Sequence, residues 1–210
     1  RDLLSGNAGA DIAYGGAGDD TYKVSDAFDT IIEYFDEGHD VVHASADFSL
    51  SEHVEDIVFF GDIGFVGSGN AGANRMTGND GSDTLSGADG DDHIDGMDGD
   101  DNLAGNDGAD RLFGKNGNDI MLGGAGADTL SGGEGADYLV GGTGDDLMCG
   151  DAGADVFEFR AGDGRDEISK FNLMDDAIHI VAESAAQLTW VEDARGVSIE
   201  YGEEDSILLS

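Results

Sequence analysis

Between residues 76 and 156 a sizeable apolar residue recurs at every ninth position: Met76, Leu85, Ile94, Leu103, Leu112, Met121, Leu130, Leu139 and Met148. Glycine, acidic and other polar residues fill most of the space between them. A nine-residue spacing fits neither the 3.6-residue period of a helix nor the long alternation of a half-buried strand. It does fit a short strand with one inward residue, followed by a tight turn. Each nonapeptide then forms half a coil, and alternate half-coils stack as parallel strands about 4.8 Å apart. The apolar residues line up as a thin column between two sheets. The expected fold class is all-β, a parallel β-roll (a β-solenoid), with its repeat block over 67–156 and nine full nonapeptides from residue 76.

Three other positions keep the same phase. Glycine fills the third position as Gly78, Gly87, Gly96, Gly105, Gly114, Gly123, Gly132, Gly141 and Gly150. It fills the sixth as Gly81, Gly90, Gly99, Gly108, Gly117, Gly126, Gly135, Gly144 and Gly153. Aspartate fills the eighth as Asp83, Asp92, Asp101, Asp110, Asp119, Asp128, Asp137, Asp146 and Asp155. Glycine permits backbone conformations in which loop carbonyls converge on a point. Aspartate beside such a loop completes an all-oxygen donor set, without imidazole or thiolate, which suits a hard cation. Ca²⁺ takes roughly 6–8 oxygens in flexible geometry, whereas Mg²⁺ keeps its waters in a tight octahedron. Calcium is therefore the expected ion, bound at these glycines and aspartates.

Charge sharpens the expectation. The 210 residues include 36 glycines, no proline, and 47 acidic against 9 basic side chains, for a formal charge of -38. Such an excess opposes any compact state by self-repulsion, so cations are needed to cancel it. It also repels nucleic acid and anionic membrane surfaces, and no apolar run reaches spanning length. Neither nucleic acid nor membrane insertion is expected. The absence of proline suits a ladder in which nearly every backbone N–H must donate. One cysteine, Cys149, excludes an internal disulfide and a Cys-rich zinc site. Its strand position should face outward, as a thiol that is either exposed or covered by the cap.

Residues 123–128 (GGAGAD), 132–137 (GGEGAD) and 141–146 (GGTGDD) match the G-G-x-G-x-D-x-U-x repeat in full. The chain resembles the RTX (repeats-in-toxin) calcium-binding family in these residues. The resemblance implies ions held between loops n and n+2, ligated by the eighth-position aspartates and by carbonyls around both glycines. On that arrangement the central block takes about seven calcium ions. It further implies the C-terminal region of a larger protein that crosses a type I secretion apparatus unfolded and folds outside the cell. Asn79, Ala88, Met97, Asn106, Lys115 and Asp151 replace the second glycine. Because that position supplies backbone, the departures bear on turn shape more than on ion binding.

The flanks keep parts of the pattern. Residues 1–21 hold two further loops, with Gly6, Gly9 and Asp11 in the first and Gly15, Gly18 and Asp20 in the second. The first repeat is cut at Arg1, so the chain reads as an excised piece with its own upstream domain as one expected partner. Residues 22–66 lose the glycines but stay rich in β-branched and aromatic residues. Two readings stand: a continuing solenoid with wider coils and few or no ions, or an inserted hairpin. Asn74 returns to the register in GNAGAN, and after a phase slip GDGRD still ends like a loop at Asp166. Residues 157–210 read as a β-strand cap. Its strands AIHIV, QLTWVED, GVSIEYG and DSILLS include three expected to run antiparallel around Gly196 and Gly202, with Phe157, Phe159, Phe171, Trp190 and Tyr201 as aromatics. Positions flanking the inward residue place Ile120, Leu122, Tyr138, Val140 and Val156 in an outer stripe, expected to be covered by the cap or by another domain.

No catalytic constellation accompanies the repeat. The five histidines form no H-E-x-x-H and no zinc spacing, and no nucleophile elbow or Walker sequence occurs. GSGNAG (67–72) matches a nucleotide-loop pattern only by falling in register with the calcium loops. The expected function is a non-catalytic calcium-binding module. The alternatives are a calcium-dependent recognition module (a polysaccharide-binding or adhesin segment), and a C-terminal fragment of a secreted hydrolase or epimerase whose catalytic domain lies upstream.

Overall fold

The computed structural model describes residues 1–181, 189–193, 196–200 and 205–210, without the side chains of 189–193 and 196–198. Tyr201, Gly202 and the Trp190 side chain thus lie outside the described residues. Strands and turns make up the described chain, and no helix occurs in it. A 13-stranded sheet and an 8-stranded sheet face each other along the solenoid, and Ile12–Tyr14 pairs with Thr30–Ile32 as a separate two-stranded sheet.

Within the nonapeptide block every strand pairs in parallel with the strand two repeats on. Leu85 lies opposite Leu103, Ile94 opposite Leu112, and Met121 opposite Leu139. The column of Met76, Leu85, Ile94, Leu103, Leu112, Met121, Leu130, Leu139 and Met148 is at most 1% exposed. The strands are longer than a single inward residue requires. Thr84–Asp89, for example, buries both Leu85 and Gly87 on its inner side. The third-position glycine is thus a second inward position inside the strand, ahead of the turn.

Through residues 21–66 the strands pair only in parallel. Thr21–Val24, Val41–Ala44 and Asp56–Phe59 stack in parallel between Leu3–Ser5 and Arg75–Thr77. Thr21 faces Val41, Val41 faces Asp56, and Asp56 faces Arg75, steps of 20, 15 and 19 residues. The uneven steps accompany a wider core, in which Tyr22, Val42, Phe48, Ile57, Phe59 and Phe65 are buried. The rings of Phe59 and Phe65 stack with centroids 5.4 Å apart.

At the other end Ala177–Val181 adds one more parallel strand beside Val156–Arg160. Ser206–Leu209 pairs in parallel with Arg165–Ile168 and antiparallel with Gly196–Glu200, which in turn pairs antiparallel with Thr189–Asp193. Ile199 and Ile207 are buried in this arrangement. Cys149 is buried beside Ser169 and Asp151, because the sheet continues past it with Arg165–Ile168 and Lys170 bridges to Asp151. In the outer stripe Ile120 and Leu122 stay exposed, while Tyr138, Val140 and Val156 are half-buried.

Candidate metal centre

Each eighth-position aspartate sits at the end of its loop, immediately before the strand that carries the apolar column. Asp83, Asp92, Asp101, Asp110, Asp119, Asp128, Asp137, Asp146 and Asp155 are all at most 3% exposed. One carboxylate oxygen is spent on the coil below. Oδ1 of Asp101 accepts the backbone N–H of Asp83 at 2.7 Å, and the same bond recurs from Asp92 to Asp110, Asp101 to Asp119, Asp110 to Asp128, Asp119 to Asp137, Asp128 to Asp146 and Asp137 to Asp155 at 2.8–3.0 Å. Two carboxylate ladders result, one along each edge of the roll. They extend outward: Asn74 N–H donates to Asp92 at 2.7 Å, and Asp146 N–H donates to Asp166 at 3.1 Å.

The second oxygen has a different fate. Oδ2 of Asp92, Asp101, Asp110, Asp119, Asp128, Asp137, Asp146 and Asp155 is buried with no hydrogen-bond partner, and so is Oδ2 of Asp11 and Asp20. The third-position glycine makes room for it. A Cβ at Gly105 would collide with Asp110 Oδ2 and stand 2.6 Å from the Gly123 carbonyl oxygen. Asp83 departs from the rule, because its Oδ2 accepts the Asn79 N–H at 2.7 Å. Burial pushes Asp92, Asp101, Asp128 and Asp137 up to about 7 and Asp146 up to about 6, against the opposing pull of the backbone N–H donors. Asp83, Asp110, Asp119 and Asp155 are raised for the same reason. Dry carboxylates with an open oxygen and no basic partner are costly unless neutralised. A ladder of them fits a row of hard cations.

Loop backbone completes the arrangement. Gly90, Gly99, Gly108, Gly117, Gly126, Gly135, Gly144 and Gly153 have φ between 112° and 150°, a region closed to most side chains. Five of the six residues that replace the second glycine take the left-handed conformation too: Ala88, Met97, Asn106 and Lys115 at 78–83°, and Asp151 at 67°, whereas Asn79 does not. At those five positions the turn keeps its shape despite the substitution, at a local conformational cost.

The flanking residues are placed unequally. Asp11 N–H donates to Asp29 Oδ1 at 3.0 Å and Asp20 N–H to Asp40 Oδ1 at 2.7 Å, so both N-terminal loops join the ladders. Gly6 borders Asp11 Oδ2 and Gly15 borders Asp20 Oδ2, while Gly9 and Gly18 have φ of 108° and 119°. Asn74 has three protein partners: Oδ1 accepts Asn70 N–H at 2.7 Å, and Nδ2 donates to the Val54 and Glu55 carbonyls at 3.1 Å. Asp40 and Asp176 were not legible as ladder members. Their spacings of 20 and 21 residues from Asp20 and Asp155 break the period of 18. The surviving signal is an aspartate directly before a strand.

The model of the RTX calcium-binding nonapeptide repeat matches four stretches of the chain, residues 1–31, 68–103, 95–130 and 122–157. The chain belongs to the RTX calcium-binding repeat family. The RTX repeat is a non-catalytic calcium-binding repeat. No curated protein matches the chain. Among solved structures the extracellular lipase LipA from Serratia marcescens is similar at 17% identity, with a TM-score of 0.32. The match covers 81% of this RTX chain and 42% of the lipase, so the chain spans less than half the length of that protein.

Proposed function

We propose that this chain is the calcium-gated folding module of a larger protein that leaves the cell by type I secretion. The observation that carries the reading is the run of buried aspartate oxygens without protein partners along both edges of the roll. We assign the ions of the 67–156 block to these aspartates and to carbonyls of the glycine loops, about seven ions for nine loops paired n to n+2. Asn74, at the edge of that block, takes the register position of a ladder aspartate without its charge. Residues 157–210 serve as the cap.

At submicromolar calcium, self-repulsion of a -38 chain and the entropy of its glycines keep it unfolded. Outside the cell, loops with affinities on the order of 10⁻⁴–10⁻³ M fill, and the binding free energy becomes folding free energy. Secretion in the unfolded state and folding after export then follow from one equilibrium. The test is a CaCl₂ titration of the isolated chain, followed by far-UV circular dichroism and Trp190 fluorescence, with MgCl₂ as control and EDTA for reversal. The expected result is a cooperative, calcium-selective gain of β signal near millimolar calcium. A chain equally folded in EDTA would overturn the reading.

A further inference from the structure

Three acidic side chains meet where the second N-terminal loop joins the strand-rich stretch, for which the sequence predicts few or no ions. Asp20, Glu33 and Asp40 are 1%, 6% and 1% exposed, and one carboxylate oxygen of each lies within 4.8 Å of the other two. Asp20 closes the second N-terminal loop just before Thr21–Val24, and Asp40 stands just before Val41–Ala44, one coil further on. Their ladder bond of 2.7 Å matches those of the nonapeptide block.

Glu33 has no counterpart in that block. Tyr14 pairs with Ile32, so Glu33 follows its strand where Gly15 follows the strand below. A glycine at this place leaves the space beside the aspartate open, and here a carboxylate side chain enters it. Glu33 Oε1 accepts the Tyr22 hydroxyl, which anchors one oxygen from inside the core. Oε2 of Glu33 and Oδ2 of Asp20 and Asp40 are buried without a partner. Gly15 borders the cluster, where a Cβ would collide with Asp20 Oδ2, Glu33 Oε1 and the Tyr22 hydroxyl. Among the described residues no lysine, arginine or histidine side chain forms an ion pair with any of the three; the chain-start amino group of Arg1 lies 3.5 Å from Asp20 Oδ1.

We infer that Asp20, Glu33 and Asp40 form a calcium site of their own, built from three side-chain carboxylates, with Tyr22 positioning Glu33. Three buried carboxylates with open oxygens call for a divalent hard cation. Calcium affinity rises with the number of charged ligands. This site therefore fills at lower calcium than the nonapeptide loops and orders the wide end of the solenoid first.

The experiment measures calcium binding by the whole chain in competition with a fluorescent chelator, with bound calcium counted after gel filtration. Glu33→Gln keeps the shape of the side chain. Glu33→Gly restores the residue found in the other loops and serves if the first variant fails to fold. Asp137→Asn, in the nonapeptide block, is the control. The expected result is a tightest class of one ion in the natural chain, weakened about tenfold or more in both Glu33 variants and retained in Asp137→Asn. Retention of that class in the Glu33 variants would overturn the inference while leaving the nonapeptide reading intact. So would a gain of stability in EDTA with an unchanged ion count, which would mean that the pocket holds protons. Absence of calcium binding by the natural chain would defeat both readings.

Discussion

Two kinds of glycine carry the repeat, and they differ in what a side chain would meet. The third-position glycines have ordinary backbone angles but lie against an aspartate carboxylate and a carbonyl of the next coil. Eight of the nine sixth-position glycines, all but Gly81, combine positive φ with close approach. Gly126 has φ of 134°, and its missing Cβ would strike the Gly108 carbonyl. Gly16, by contrast, has φ of 74° and nothing within 4 Å. Gly126→Ala is expected to cost about 1–3 kcal/mol from backbone conformation alone, with the collision added. Gly16→Ala should cost about 1–2 kcal/mol, the price of a left-handed alanine. The shift in calcium midpoint by circular dichroism checks the order. Equal shifts would mean that close packing between coils is not what selects glycine in the loops.

At the level of strands, each half-coil has little core of its own and depends on its neighbours two repeats away. The cap extends this dependence to the end of the chain. Ile207 is fully buried on a strand that joins Arg165–Ile168 of the solenoid to the antiparallel strand Gly196–Glu200. Ile207→Ala is expected to cost about 2–5 kcal/mol. Because the cap strand is in register with the coils, the loss should raise the calcium concentration needed to fold the whole roll. If the variant melts only the cap, with an unchanged calcium midpoint for the far-UV signal, the cap and the roll are separate cooperative units.

For the whole molecule, charge couples folding to both calcium and pH. Asp92, Asp101, Asp128 and Asp137 titrate near 7 in the folded chain, against about 3.9 when exposed. The folded state without calcium thus binds more protons than the unfolded one. Its stability from these groups is present below about pH 4 and lost as pH rises toward about 7. On the proposed assignment, calcium entering an already folded roll displaces those protons, whereas the unfolded chain, with its aspartates ionised above about pH 4, has none to release. Because the proposed calcium-free chain is unfolded, the calcium midpoint by circular dichroism is expected to change little between about pH 8 and about pH 6 and to rise as pH falls toward about 4. A midpoint that rises between about pH 8 and about pH 6, with proton release in weakly buffered solution, would show that a folded, protonated roll exists without calcium.

The period of nine by itself determined the roll, its parallel stacking at every second repeat, the apolar column and the identity of the aspartates. Those features depend on residues that recur at fixed spacing, and a solenoid turns sequence distance directly into position in space. The three antiparallel end strands were legible in the same way, from strand-like stretches separated by glycines. Only the tertiary structure decided what happens where spacing fails. Steps of 15 to 21 residues carry the ladders through Asp40 and Asp176, because the backbone bond before each strand holds its place while loop length varies. Tertiary packing also put Cys149 under a later coil and closed Asn74 with backbone partners. The meeting of Asp20, Glu33 and Asp40 belongs to the same class. Their separations in sequence carry no period, and only stacking of unequal coils brings the three carboxylates to one point.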